Sequence, residues 1–103
     1  MAGELRAYEL LYILRPDLDE EQRHGKIAKV EQVIQTLDGQ VEKTDEWGSR
    51  ILAYDIRNFR EGYYVLVNFT LPPEQVRELE GRFKMEDELL RYQVVRRNGS
   101  SGG

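Results

Sequence analysis

Six arginines in the second half of the chain carry its most usable chemistry: Arg50, Arg57, Arg60, Arg91, Arg96 and Arg97. A guanidinium is always charged, and its planar fork of N–H groups matches two oxygens of one phosphate. Catalytic parts are scarce by comparison. The only histidine, His24, lies in a polar run and reads as a solvated surface residue. The carboxylates Asp17, Asp19, Glu20 and Glu21 read as a helix cap and a solvated face rather than a cation site. With no cysteine, a disulfide scaffold, a thiolate zinc site and a cysteine nucleophile are all excluded. The glycines Gly39, Gly48, Gly62 and Gly81 are isolated, so no phosphate-cradling loop is present. Arg15-Pro16-Asp17-Leu18-Asp19-Glu20 is too acidic to serve as an acylphosphatase-like anion loop. These residues point to binding, with no metal, no cofactor and no small-molecule substrate.

The charge is divided along the chain. Over 103 residues the formal net charge is -4, which taken alone opposes nucleic-acid binding. Residues 1–49 hold 6 Lys+Arg against 11 Asp+Glu, whereas residues 50–103 hold 9 against 8. Arg91, Arg96 and Arg97 follow Glu88 with no further acid, and the stretch from Arg50 through Arg57 to Arg60 holds one acid, Asp55. Two basic patches on an acidic protein fit a confined RNA contact shared with a basic partner, set against a plain mixed-charge surface. Lys26, Lys29 and Lys43 sit among acids and read as solvating charges; Arg77 and Arg82 read as decoration of a helix. With 40% hydrophobic and 33% charged residues, the composition is that of a globular domain. No segment approaches the ~20 apolar residues of a membrane span, and the first residues carry no signal-peptide run.

The elements that position these residues follow from periodicity. Tyr8–Leu14 predicts a strand that is apolar on both faces and therefore central, ended by Pro16. A helix follows, capped by Asp17 or Asp19, with Ile27, Val30, Ile34 and Leu37 as its apolar stripe and Gly39 as its C-terminal glycine. Residues 40–56 predict a long strand kinked at Gly48, residues 58–61 a turn, and residues 62–71 a third strand. Pro72-Pro73 opens a second helix striped by Val76, Leu79 and Phe83; residues 86–88 turn; residues 89–97 form the last strand. Residues 98–103 are Gly/Ser-rich and predict a flexible tail after a single domain over residues 1–97. The order β-α-β-β-α-β predicts an α+β, ferredoxin-like fold: a four-stranded antiparallel sheet with two helices on one face. The long second strand then lies at a sheet edge, guarded by Asp45, Glu46 and Arg50.

The fold alone decides no function. An RNA-recognition motif would set exposed rings on the third strand, but Glu61-Gly62-Tyr63-Tyr64-Val65-Leu66-Val67-Asn68 matches only at Gly62 and Tyr63. Trp47 and Tyr54, beside Arg50 on the edge strand, suit a protein interface. A ferredoxin-like regulatory module that dimerises and binds a small molecule is the alternative class, which dimerisation in isolation would favour.

The run Trp47–Arg57 resembles one family signature: Gly, any residue, basic, polar or charged, Leu, Ala or Ser, Tyr, any residue, Ile, basic or small. Gly48, Arg50, Leu52, Ala53, Tyr54, Ile56 and Arg57 match it. Ile51 stands where a polar or charged side chain is usual, and Asp55 where proline is frequent. Tyr8-Glu9, Arg15-Pro16-Asp17, Asp45-Glu46-Trp47-Gly48, Gly62–Leu66, Leu79, Phe83, Asp87 and the Arg91–Arg96 ending extend the likeness across residues 6–97. The chain thereby resembles the bacterial small-subunit ribosomal protein six family. The resemblance implies a structural role without catalysis. It implies binding to the central domain of small-subunit ribosomal RNA as a heterodimer with ribosomal protein eighteen. It also implies a place on the ribosome in the cytoplasm; an organelle ribosome would fit too, although no transit peptide is present. On this reading Asp45, Glu46, Trp47, Arg50 and Tyr54 dock the partner, and the six arginines reach RNA backbone.

Overall fold

In the computed structural model, residues 4–97 are described. The proposed tail at 98–103 lies outside them. The chain forms β1 (Arg6–Leu14), α1 (Glu20–Thr36), β2 (Gln40–Ile56), β3 (Phe59–Leu71), a 3₁₀ turn (Pro73–Gln75), α2 (Val76–Lys84) and β4 (Leu89–Arg96). The sheet is antiparallel in the order β2-β3-β1-β4, so β1 is interior and β2 and β4 are the edges.

The main core lies between the sheet and the two helices. On β1, the alternate residues Tyr8, Leu10, Tyr12 and Leu14 face it, opposite Phe69, Val67, Val65 and Tyr63 of β3. Ile27, Val30 and Ile34 of α1 and Leu79 and Phe83 of α2 close over them. Each fully buried aliphatic or aromatic side chain contributes about 1.5–3 kcal/mol by leaving water. Tyr8 stacks on Phe69 with ring centroids 5.7 Å apart, and Phe83 meets Tyr92 edge-on at 5.6 Å.

Local chemistry fixes the ends of α1. Of the two expected caps, Asp19 is the one used: its carboxylate accepts from Gln22 N–H at 2.8 Å, and Gln22 Oε1 accepts from Asp19 N–H at 3.0 Å. Asp17 is instead bound by the Arg15 guanidinium at 2.8 Å. At the other end Asp38, with φ 70°, takes the left-handed conformation expected of Gly39. Gly39 is needed for a different reason: a Cβ there would lie 2.6 Å from the carbonyl oxygen of Thr70.

The β2–β3 hairpin turns earlier than residues 58–61. Ile56 pairs with Phe59, and the two residues between them, Arg57 and Asn58, have φ of 51° and 69°. Two successive left-handed residues make the twisted two-residue turn that antiparallel strands favour. Beyond Ile51 the hairpin leaves the main sheet ladder and curls onto the face opposite the helices. There Leu52 is buried with Ile13 and Leu90, packed by Ile56, Phe59 and Tyr64. The Arg15 guanidinium sits 5.3 Å from the Phe59 ring. The face expected to be open is therefore closed at one end by the chain's own hairpin. The molecule measures 44 × 26 × 21 Å.

Two lysines read as solvating charges are paired. Lys26 Nζ lies 3.3 Å from Glu86 and 3.1 Å from Glu88, and Lys29 Nζ lies 2.9 Å from Glu86. Burial opposes the Lys26 charge, but hydrogen bonds to Glu88 and Glu86 outweigh it and raise the pKa. The hydrogen bond from Lys29, helped by Lys26 and opposed by burial, holds Glu86 below its ordinary 4.5. A carboxylate with a depressed pKa stabilises the fold fully above its unfolded pKa and loses that contribution as pH falls through the folded one. The wild type is therefore expected to lose stability below about pH 4.5, and Glu86→Gln to show a shallower loss in urea titrations across pH 2–6. Gly39→Ala is expected to cost about 1–3 kcal/mol by overpacking against Thr70, measured by urea denaturation. An unchanged midpoint would contradict the close approach.

Candidate functional site

Among the described residues no strand lies beside the outer edge of β2, and a bulge interrupts its pairing with β3 between Glu46 and Gly48. Gly48 carries a φ of 91°, which L residues rarely adopt, so the glycine permits the kink. Across the kink Asp45 faces Leu66, Gly48 faces Tyr64 and Arg50 faces Gly62. Opposed residues share a face, which places Asp45 and Arg50 on the side away from the helices. There the Trp47 ring stacks on Tyr64, with centroids 6.3 Å apart and planes 6° from parallel, and the Arg50 guanidinium lies 5.3 Å from the Trp47 ring. Trp47 remains 42% exposed.

The five expected partner-docking residues thus divide. Asp45, Trp47 and Arg50 share the helix-free face. Glu46 accepts a 2.7 Å hydrogen bond from the Tyr63 hydroxyl, and Arg23 of α1 sits 4.3 Å from the Tyr63 ring. This hydrogen bond, with burial, raises the Tyr63 pKa. Glu46 is therefore a link between β2, β3 and α1. Tyr54, 59% exposed, carries the Arg91 guanidinium 5.4 Å from its ring.

The six expected RNA-contacting arginines do not form one cluster. Arg50 and Arg91 lie on the helix-free face, Arg91 opposite Ile13. Arg60 is exposed on the hairpin arm. Arg57, at the turn, donates to the carbonyls of Asp87 at 2.9 Å and Leu89 at 3.4 Å, tying the hairpin tip to the start of β4. Arg96 is opposite Tyr8 and so points to the helix side. Arg97 extends the β4 ladder by donating its N–H to the Ala7 carbonyl at 2.9 Å, while its guanidinium binds Glu42 of β2 at 2.8 Å. Two residues central to this geometry were not singled out from the sequence: Tyr64 as the base of the stack, and Phe59 as the anchor of the curled arm. Their spacing marks both as strand residues, and neither role shows until the register is known.

The profile of the ribosomal protein S6 family matches residues 7–96. The chain belongs to that family. Among similar proteins, small ribosomal subunit protein bS6 of Caldanaerobacter subterraneus is 46% identical over 89% of this chain and 97% of its own. The Clostridium novyi protein of the same name is 50% identical over 88% and 96%. The crystal structure of 30S ribosomal protein S6 from Thermotoga maritima superposes with a TM-score of 0.90 at 30% identity, covering 96% of this chain and 94% of that one. The family is structural and non-enzymatic. Among the described residues no group of three or more His, Cys, Asp or Glu is placed to hold a metal, and no helix is long and apolar enough to cross a membrane.

Arg57 and Arg60 separate a tether from a free charge. Arg57→Ala is expected to cost about 1 kcal/mol by removing charge-assisted hydrogen bonds to carbonyls, and Arg60→Ala to stay within about 0.5 kcal/mol. Urea denaturation measures both, and equal effects would remove the tether.

Proposed function

We propose that this chain is a structural component of the bacterial small ribosomal subunit in the cytoplasm. It binds the central domain of small-subunit ribosomal RNA cooperatively with ribosomal protein eighteen during assembly. The observation that carries this reading is the Arg50–Trp47–Tyr64 stack on the helix-free face, beside the unpaired edge of β2. Exposed aromatic and arginine side chains fixed against one another are what a protein interface uses for anchors. Asp45, Trp47 and Arg50 form the partner surface, with Tyr54 at its border and Glu46 behind it, holding Tyr63 on the helix side. The acidic half of the chain, which includes Asp45 and Glu46, suits a basic protein partner.

Arg50, Arg60, Arg91 and Arg96 contribute the phosphate contacts, since none of them holds a carboxylate among the described residues. Arg57 and Arg97 contribute by holding the hairpin arm and the end of β4 in place. Much of the neutralisation falls to the partner, which reconciles a net charge of -4 with RNA binding.

The test is binding to a central-domain RNA fragment, with and without ribosomal protein eighteen, over a range of salt. Tight binding that needs the partner and weakens steeply with salt is expected. Arg50→Ala is expected to weaken the complex about tenfold or more, as loss of an interface anchor does. A folded chain that binds under neither condition would overturn the reading.

A further inference from the structure

Where the hairpin arm curls over the helix-free face, it leaves a notch of about 100 Å³ lined by Ile13, Leu52, Tyr54, Ile56, Tyr64 and Arg91. Its floor is apolar: Ile13 and Leu52 are 6% and 8% exposed. Tyr54 and Tyr64 supply rings at its sides. The notch has room for a single planar group and none for a duplex.

Arg91 of the lining lies against Tyr54, and beyond the notch, on the same face, Arg50 lies against Trp47, which stacks on Tyr64. Neither arginine holds a carboxylate among the described residues, although Arg6, Arg15, Arg82 and Arg97 each do. A guanidinium within about 6 Å of a ring centroid is attracted by the ring and still has N–H donors to offer phosphate oxygens. Asp55, next to Tyr54, is exposed and carries the nearest sequence-adjacent opposing charge.

We propose that the notch receives one unstacked RNA nucleotide, its base against Tyr54 and Tyr64 and its flanking phosphates on Arg91 and Arg50. Splayed bases are bound in this way, by a ring for the π-face and arginine for the backbone. An apolar side chain from a protein would fill the floor and leave both guanidinium groups without an anion, so charge complementarity favours the nucleotide. The site rests on the RNA reading given above and adds base stacking to its phosphate contacts.

The full chain is titrated with an eight-nucleotide oligoadenylate and with an abasic octamer of the same backbone charge. The oligoadenylate is expected to bind about tenfold more tightly, the order of one base–aromatic stack. Tyr54→Ala is expected to remove that difference and Tyr54→Phe to retain it; Tyr54 is largely exposed, and circular dichroism checks that the variants fold. Arg91→Gln is expected to keep the difference while reducing the slope of log K against log salt by about 0.7, one single-strand phosphate contact. Equal affinity for the two octamers, or binding of neither, overturns the proposal. So does a Tyr54→Ala variant that loses affinity for ribosomal protein eighteen and keeps its discrimination between octamers. If the octamers fail while the central-domain fragment still binds with its protein partner, the assembly role stands and only the notch is refuted.

Discussion

The pairing register of β1 against β3 is the constraint on which both faces of the sheet depend. Tyr8, Leu10, Tyr12 and Leu14 meet Phe69, Val67, Val65 and Tyr63 on the helix side, and Leu11 and Ile13 meet Leu66 and Tyr64 on the other. Because side chains alternate with a period of two, a slip of one residue would exchange these sets. A slipped β1 would drive Glu9 towards the helices, a slipped β3 Asn68, and either would dismantle the cluster that holds the hairpin arm. The apolar alternation thus sets the core and, through Ile13 and Tyr64, the geometry of the exposed aromatic surface.

Much of this architecture was legible in the sequence, because it arises from period and punctuation. The order of elements, the interior place of β1 and the full extent of β2 follow from alternating apolar residues and from Pro16, Gly48 and Pro73. The hairpin turn was not legible. Arg57 has no intrinsic preference for a positive φ, and its conformation depends on carbonyls of Asp87 and Leu89 that are distant in sequence. The end of α1 shows the same effect: Asp38 takes the left-handed conformation expected of Gly39, and the glycine is required instead by the close approach of Thr70.

Charge was the least legible feature. Arginines that look equivalent as a list of basic residues have separate surroundings: Arg97 is bound to Glu42, Arg57 to main-chain oxygens, and Arg50 and Arg91 lie on aromatic rings. Lys26 and Lys29 join α1 to the turn before β4 through Glu86 and Glu88. Neighbours brought in by the fold decide whether a cation is spent inside the molecule or offered to a ligand, and sequence spacing carries little of that information.

The molecule has a long axis of 44 Å against 26 and 21 Å across. A body of that shape acts as a splint. Held at two points near its ends, it fixes the angle between the things it touches far more tightly than a sphere of equal volume, since a given slack at each contact is divided by a longer baseline. Tethering the tip through Arg57 and Phe59 keeps the baseline stiff. A small domain with few contacts can in this way impose orientation, a contribution that affinity measurements alone would not record.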